Sequence, residues 1–350
     1  MSGSIMKAHA LTQPQKGPDF VDEKRADEIE NLTRRIFDTV PTRIAFPGGK
    51  SRSVFIAEIK GETYAFAKRG NKFDAKVESS VLKALSPSGL VPAFIARNGK
   101  WVVQQCLFGK RLPILIDEQS DLSERVTMVS DALESLYQIQ QIAHRARLQS
   151  KVPRLGVVDG WIDHRIGAVD KISKLLHISP PILQRKAIKN IFDVRQTDFV
   201  KWDARPGNAL VENGQYRWFD WEDCGKRCAL DDLVCFISDE WTNIDAKSEV
   251  VILNEFIPKF GKRMPADKAL QYFFVAGCLQ LSFRLKLAVE YRTRDNKWWD
   301  REHCLKGDKV GVTASEVTRL CDRMINWAEN LEILKPYADW AETVKKSLNL

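Results

Sequence analysis

Residues 201–211 read KWDARPGNALV, and residues 219–225 read FDWEDCG. Asp203 and Asn208 stand five positions apart, and Asp220 closes the aromatic run YRWF that follows. An amide oxygen and a carboxylate are the protein share of a magnesium shell completed by phosphate oxygens and water. A further carboxylate aimed at a hydroxyl is what phosphoryl transfer asks of a protein. Asp and Asn are common enough that D-x-x-x-x-N arises by chance in a chain of this size, so the surrounding sequence has to supply the weight.

Upstream, three short runs alternate as strands do: Thr42–Phe46, Ser53–Ile59 and Thr63–Lys68. The connectors PGGKSR and KGE are turn chemistry, and together they predict an antiparallel meander. Gly48 and Gly49 lack Cβ atoms, so the first connector can close over phosphates with its N–H groups inward; Gly48, Gly49 and Ser51 are its candidate nucleotide contacts. Lys68 ends the third strand, where an ammonium reaches α- and β-phosphates if a carboxylate holds it, and Glu78 on the next predicted helix is that carboxylate's candidate. Two more strands, VPAFIAR and KWVVQQCLFG, are joined by Asn98-Gly99, a strong hairpin signal.

Beyond Gly109 the pattern turns helical. The stretch 121–148 is amphipathic and opens on Asp121 and Glu124, and segments 161–198, 246–292 and 313–348 carry mostly helical periodicity. The expected organisation is α+β and bilobal: an arm over 1–19, a small antiparallel β-rich lobe over 20–105, and a large mainly helical lobe over 106–350.

With 350 residues, 44% hydrophobic and 29% charged, the chain has an ordinary globular composition. No run is seen to approach the roughly 18 apolar residues of a membrane helix, so no membrane partner is expected. The start lacks an apolar signal region, and seven irregularly spaced cysteines suit a reducing cytoplasm. Cys224, Cys228 and Cys235 do not have paired zinc-ligand spacing and read as buried thiols. The net charge of +8 favours anionic partners, but the basic residues are interleaved with acids and no nucleic-acid signature appears. Oligomeric state is not encoded in any pattern here.

The order glycine loop, Lys68, Glu78, D-x-x-x-x-N, Asp220 resembles the aminoglycoside phosphotransferase family, relatives of choline kinase with the protein-kinase-like fold. The family pattern, H-G-D-x-H-P-G-N-x-L, then I-D-W-E-D-x-G, then D-L, is met by KWDARPGNALV, FDWEDCG and LDDL over about residues 40–240. The resemblance implies ATP and Mg²⁺, with Asp203 as catalytic aspartate, Asn208 and Asp220 as metal ligands, and Lys68 and Glu78 as the nucleotide clamp. It implies a hinge at 104–109 whose backbone meets adenine near Gln105 and Leu107, and a bracing role for Asp232. Lys201 and Trp202 depart from the family's His and Gly. Arg205 replaces a second His, at the offset where serine/threonine kinases carry Lys, and is a candidate to steady the γ-phosphate.

No A-P-E follows Asp220, and DWE replaces D-F-G, which points away from a protein substrate. The expected activity is transfer of the ATP γ-phosphate to a hydroxyl of a small molecule, an amino sugar, sugar or amino alcohol. A degenerate nucleotide-binding scaffold is the alternative. Asp231, Asp239 and Glu240 are candidates to line an acidic acceptor cleft; Trp298 and Trp299 either line it or anchor helix packing.

Overall fold

Hairpins of unequal length build the first part of the chain. A computed structural model describes residues 23–47, 53–194 and 197–350. The arm 1–19 and the loop candidates Gly48, Gly49 and Ser51 lie outside the described residues. Helix α1 (Glu23–Phe37) precedes β1 (Arg43–Ala45), β2 (Val54–Ile59) and β3 (Glu62–Lys68). Helix α2 (Lys72–Leu85) follows, then β4 (Phe94–Asn98) and β5 (Trp101–Gln105). The five strands form one antiparallel sheet in the order β1-β2-β3-β5-β4. Asn98-Gly99 turns β4 into β5 as expected, with Gly99 at φ 59°.

The sheet has two unlike faces. Phe55 and Phe66 stack at 4.5 Å between ring centres, Trp101 meets Phe55 edge-on at 5.4 Å, and Ile29 and Leu32 of α1 close over them as a separate small core. Helix α2, capped by Asn71 on the N–H groups of Phe73 and Asp74, sends Val81, Leu82 and Leu85 into the large core together with Val102.

After residue 109 come β6 (Lys110–Arg111), α3 (Leu112–Glu118), α4 (Leu122–Arg145), α5 (Trp161–Ile166), α6 (Ala168–Leu176) and α7 (Arg185–Phe192). The central strands β7 (Asp198–Val200), β8 (Ala209–Glu212), β9 (Gln215–Trp218) and β10 (Gly225–Arg227) lead into α8 (Leu230–Ile237). The chain finishes with α9 (Ala246–Phe260), α10 (Ala266–Asp295), α11 (Arg301–Lys306), α12 (Ala314–Ala328) and α13 (Lys335–Ser347). The fold is bilobal and protein-kinase-like, a small antiparallel sheet beside a mostly helical remainder.

Helix α10 corrects one expectation. It has 30 residues, and its most apolar window reaches a mean hydropathy of 1.3, long and apolar enough to cross a membrane. In this fold 78% of that window is buried against other protein, because α10 is the axis that α6, α8 and α12 pack around. All seven cysteines are buried and unpaired, and no cluster of metal-ligating His, Cys, Asp or Glu occurs among the described residues.

Candidate active site

A hairpin brings Asn208 and Asp220 together. Asn213-Gly214 turns β8 into β9 with φ 50° and 77°, the chemistry of a tight primed turn. The register pairs Ala209 with Trp218, so Asn208 lies opposite Phe219, whose N–H donates to the Asn208 carbonyl at 3.1 Å. A short 3₁₀ turn over Pro206–Asn208 then folds Asn208 back, and its amide donates to the Asp203 carboxylate at 2.7 Å and to the Asp203 carbonyl at 2.9 Å. Gly207 is required here, since a Cβ would collide with the Asp308 carboxylate. The five-residue spacing is thus one local turn.

Asp203 keeps about a third of its side chain open to solvent (34%) in an otherwise buried loop. Burial works against its charge, but Arg205, Lys201 and the Asn208 amide outweigh it and hold the carboxyl below its ordinary range. Asp220 is at φ 58°, a left-handed conformation that a non-glycine residue enters at a cost of about 1–2 kcal/mol. Burial pushes its carboxyl up to about 6 against the pull of Arg69 and Lys201. The free oxygens are the telling atoms: Asn208 Oδ1 and Asp220 Oδ1 are both buried without a hydrogen-bond partner. Buried acceptors without partners are rare and want an explanation; an amide oxygen and a carboxylate oxygen on segments joined by the Phe219–Asn208 backbone bond fit a hard cation.

Lys201 does work that its sequence position left obscure. Its side chain is fully buried, and the ammonium donates to the backbone carbonyls of Asp203 (3.1 Å) and Asp220 (2.6 Å), over the face of Trp221 at 5.2 Å. One cation therefore pins both acidic segments. Asp232 braces the same loop as expected, accepting from the N–H groups of Lys201 (3.0 Å) and Trp202 (2.9 Å) and from Gln140 at 2.8 Å. Trp202 needs that brace, because it sits at φ 72°.

Arg205 is buried, not a locally paired surface group. Both ends of its guanidinium donate to Asp308 (3.2 and 2.9 Å), while Nε lies 3.4 Å from the Asp203 carboxylate. Asp308 also meets Arg111 at 3.0 Å, so a loop a hundred residues downstream fixes the arginine beside Asp203. No sequence pattern announced Asp308.

The predicted Lys68–Glu78 pair is not formed, and strand parity explains why. Alternate side chains of a strand point to opposite faces. Lys68 shares its face with Phe66 and Tyr64, toward the α1 core, where it pairs with Glu28 at 2.5 Å and lies over Trp101 at 5.1 Å. Arg69, one residue on, follows the parity of Ala65 and Ala67 and enters the cleft. Its guanidinium grips Glu78 with two hydrogen bonds, reaches Glu222 at 2.8 Å and comes within 4.0 Å of Asp220. The pair that forms is Arg69–Glu78. The signal was present: two large aromatics on one parity and two alanines on the other. Burial and the Asp220 charge push the Glu222 carboxyl up to about 8.

At the hinge the expectation narrows. The Gln105 N–H is spent on Ala93 (2.8 Å), its side chain accepts from Arg217 (2.8 Å), and the Cys106 N–H is spent on Thr63 (3.2 Å). Gln105 therefore has no backbone donor left for a base. The Leu107 N–H meets no acceptor among the described residues.

The expected acidic cleft is absent at the positions named for it. Asp231 is buried against Arg227 (3.0 Å) and the Tyr272 hydroxyl (2.7 Å). Glu240 is fully buried with Arg284 and the Gly311 N–H, and Asp239 lies beside the same arginine at 3.5 Å. Ionised acids at such depth need cations, and these already have them. Trp298 and Trp299 anchor packing: Trp299 meets Tyr291 at 5.1 Å and donates to Asp295 at 2.9 Å, and Trp298 packs on the large core.

Neither a protein-family model nor a curated protein sequence matches the chain. Solved structures do. The amicoumacin kinase hAmiN, in complex with AMP-PNP, Ca²⁺ and amicoumacin, superposes with a TM-score of 0.55 at 13% identity, over 91% of this chain and 95% of that one. The gentamicin complex of APH(2″)-IIa gives 0.51 at 14% identity over 81% and 94%, and a GDP complex of an aminoglycoside 2′-phosphotransferase-IIIa variant gives 0.50 at 13% over 78% and 93%. The chain has the aminoglycoside-phosphotransferase fold.

Within that fold the departures from the family motif become intelligible. Lys201, in place of His, holds the loop through two carbonyls. Trp202, in place of Gly, adopts the backbone conformation for which glycine is favoured. Arg69 pairs with Glu78 one residue beyond the position the aminoglycoside-phosphotransferase resemblance suggested.

Proposed function

We propose that the protein moves the γ-phosphate of ATP to a hydroxyl of a small molecule. The observation that carries the reading is the pair of buried oxygens without a hydrogen-bond partner on Asn208 and Asp220, the first on the side chain that bonds Asp203. Mg²⁺ held through those two oxygens would neutralise phosphate charge as the transfer proceeds.

The chain's own residues supply positioning. Arg69, oriented by Glu78 and Glu222, faces the nucleotide phosphates; Leu107 offers a backbone donor to the base. The acceptor oxygen attacks the γ-phosphorus, the bond from that phosphorus to the β,γ-bridging oxygen breaks, and ADP leaves. The hydroxyl proton passes to the Asp203 carboxylate, which its neighbours keep ionised and ready. Arg205, locked by Asp308, keeps Asp203 charged and adds positive potential where the phosphoryl group moves. A protein that uses ATP and carries seven unpaired thiols fits a cytoplasmic setting.

The scaffold alternative was motivated by the missing His and Gly before Asp203. Lys201 and Asp232 hold that loop in their stead, and no other observation favours it. The test is ADP release with ATP, Mg²⁺ and a panel of hydroxyl compounds. Stimulation by at least one compound is expected, with Asp203→Asn lowering kcat by about a thousandfold or more. Stimulation that survives Asp203→Asn unchanged sinks the assignment.

A further inference from the structure

Beside the catalytic loop, half-buried rings and cations run outward from Asp203. Trp202 adjoins Asp203, and its ring lies 5.8 Å from Trp161 of α5. The Arg165 guanidinium covers Trp161 at 5.8 Å and Phe283 of α10 at 4.7 Å, and Lys286 covers the same phenylalanine at 5.4 Å. All five side chains belong to residues of intermediate burial, neither exposed nor sealed.

The charges along this wall are unequal. Arg227, on the inner side of the tryptophans, is neutralised by Asp231 at 3.0 Å, and Lys286 has Glu290 at 3.5 Å. Among the described residues Arg165 forms no ion pair, and Asp231, whose charge it feels, is paired with Arg227; its hydrogen bond goes to the neutral Gln280, and its Nε is buried without a partner. Burial lowers its guanidinium to about 10, with Arg227 adding repulsion. A cation kept at that cost, with donor capacity unused, is a place for an anion. The three acids expected to line a cleft for a polycationic acceptor, Asp231, Asp239 and Glu240, are taken up by Arg227 and Arg284.

We propose that the acceptor is an anionic hydroxyl compound, its carboxylate or phosphate seated on Arg165 against Trp161 and Phe283, its hydroxyl presented to Asp203. This rests on the phosphotransferase reading above and specifies its substrate class.

The experiment is calorimetric titration of the intact protein, with AMP-PNP and Mg²⁺ present. The probes are gluconate (carboxylate), ribose 5-phosphate (phosphate), their neutral counterparts glucitol and ribose, and the cationic glucosamine and choline. ATP-dependent transfer is measured on the same panel. At least one anionic probe is expected to bind on the order of tenfold or more tighter than its neutral counterpart. Arg165→Met should abolish that preference, Arg165→Lys should retain part of it, and AMP-PNP affinity should be the same in all three proteins. Gluconate against ribose 5-phosphate decides between the two anions.

Equal or tighter binding of neutral or cationic probes, no binding of any anionic probe, or an anion preference that persists in Arg165→Met overturns the proposal. Transfer confined to neutral or cationic acceptors does so while leaving the phosphotransferase reading intact. Arg165-dependent anion binding without transfer to any hydroxyl upholds the anion seat on Arg165 but overturns the phosphotransferase reading, and with it the role of acceptor.

Discussion

The loop that carries Asp203 and the end of β3 solve the same problem, orienting a charged side chain, by different means. In the loop, Asp203 and Asn208 are joined by a single 3₁₀ turn and cross-linked by their own side chains. A five-residue spacing there can produce little else. At the end of β3 the outcome depends on parity: Lys68 and Arg69 are adjacent, both cationic, and directed to opposite faces of one sheet. A turn encodes geometry in its spacing, whereas a strand encodes only which side, and the side is decided by what else must be buried.

The sharpest way to break this contrast is to exchange the two cations' fates. Arg69→Ala removes charge-assisted bonds of about 1.5–3 kcal/mol and should weaken Mg²⁺-ATP binding roughly tenfold to a hundredfold. Because it also strands the buried Glu78, Arg69→Lys serves as the folded control and should lie between. Lys68→Ala, losing only a half-exposed pair with Glu28, should stay within about twofold. Titration of nucleotide into the three proteins decides it; a larger loss from Lys68→Ala would reverse the assignment.

Lys201→Met tests the loop side. It removes two hydrogen bonds to buried carbonyls, so a stability loss of about 2–3 kcal/mol is expected, with kcat falling more than KM rises. Lys201→His, the residue of the family motif, should recover part of both. A melting temperature and kcat unchanged in Lys201→Met would show that Asp232 alone suffices.

The smallest effect is in pH. Burial raises the Asp232 carboxyl to about 6. In the unfolded chain it titrates near 3.9, so between about pH 4 and 6 the folded protein holds a proton the unfolded one has lost. Stability therefore falls as pH rises through that window, by about 3 kcal/mol from this group, and levels off above it. Denaturant unfolding of wild type minus Asp232→Asn should show the slope; a flat difference curve would contradict it.

Much of this was legible in the primary structure where interactions are local. The β4–β5 hairpin announced itself as Asn98-Gly99, and Asp203, Asn208, Asp220 and Asp232 were placed by motif. Asn213-Gly214 carried an equally plain turn signal for the second hairpin. Lys201 looked like a defect, because its role is to join two carbonyls brought together only by that hairpin. Asp308 reaches Arg205 across 103 positions, and nothing near it in sequence hints at the contact. The acids at 231, 239 and 240 looked like cleft residues, but composition is silent on which arginine each will meet.

The two oxygens without hydrogen-bond partners, Asn208 Oδ1 and Asp220 Oδ1, are where a bound cation has to sit. Crystals grown with AMP-PNP and Mn²⁺, measured for anomalous scattering, locate the cation independently of any sequence alignment. A peak within coordination distance of Asn208 Oδ1 and Asp220 Oδ1, with Arg69 on the phosphates and Lys68 still against Glu28, is the predicted result. Manganese bound elsewhere, or nucleotide bound with both oxygens still bare, contradicts it.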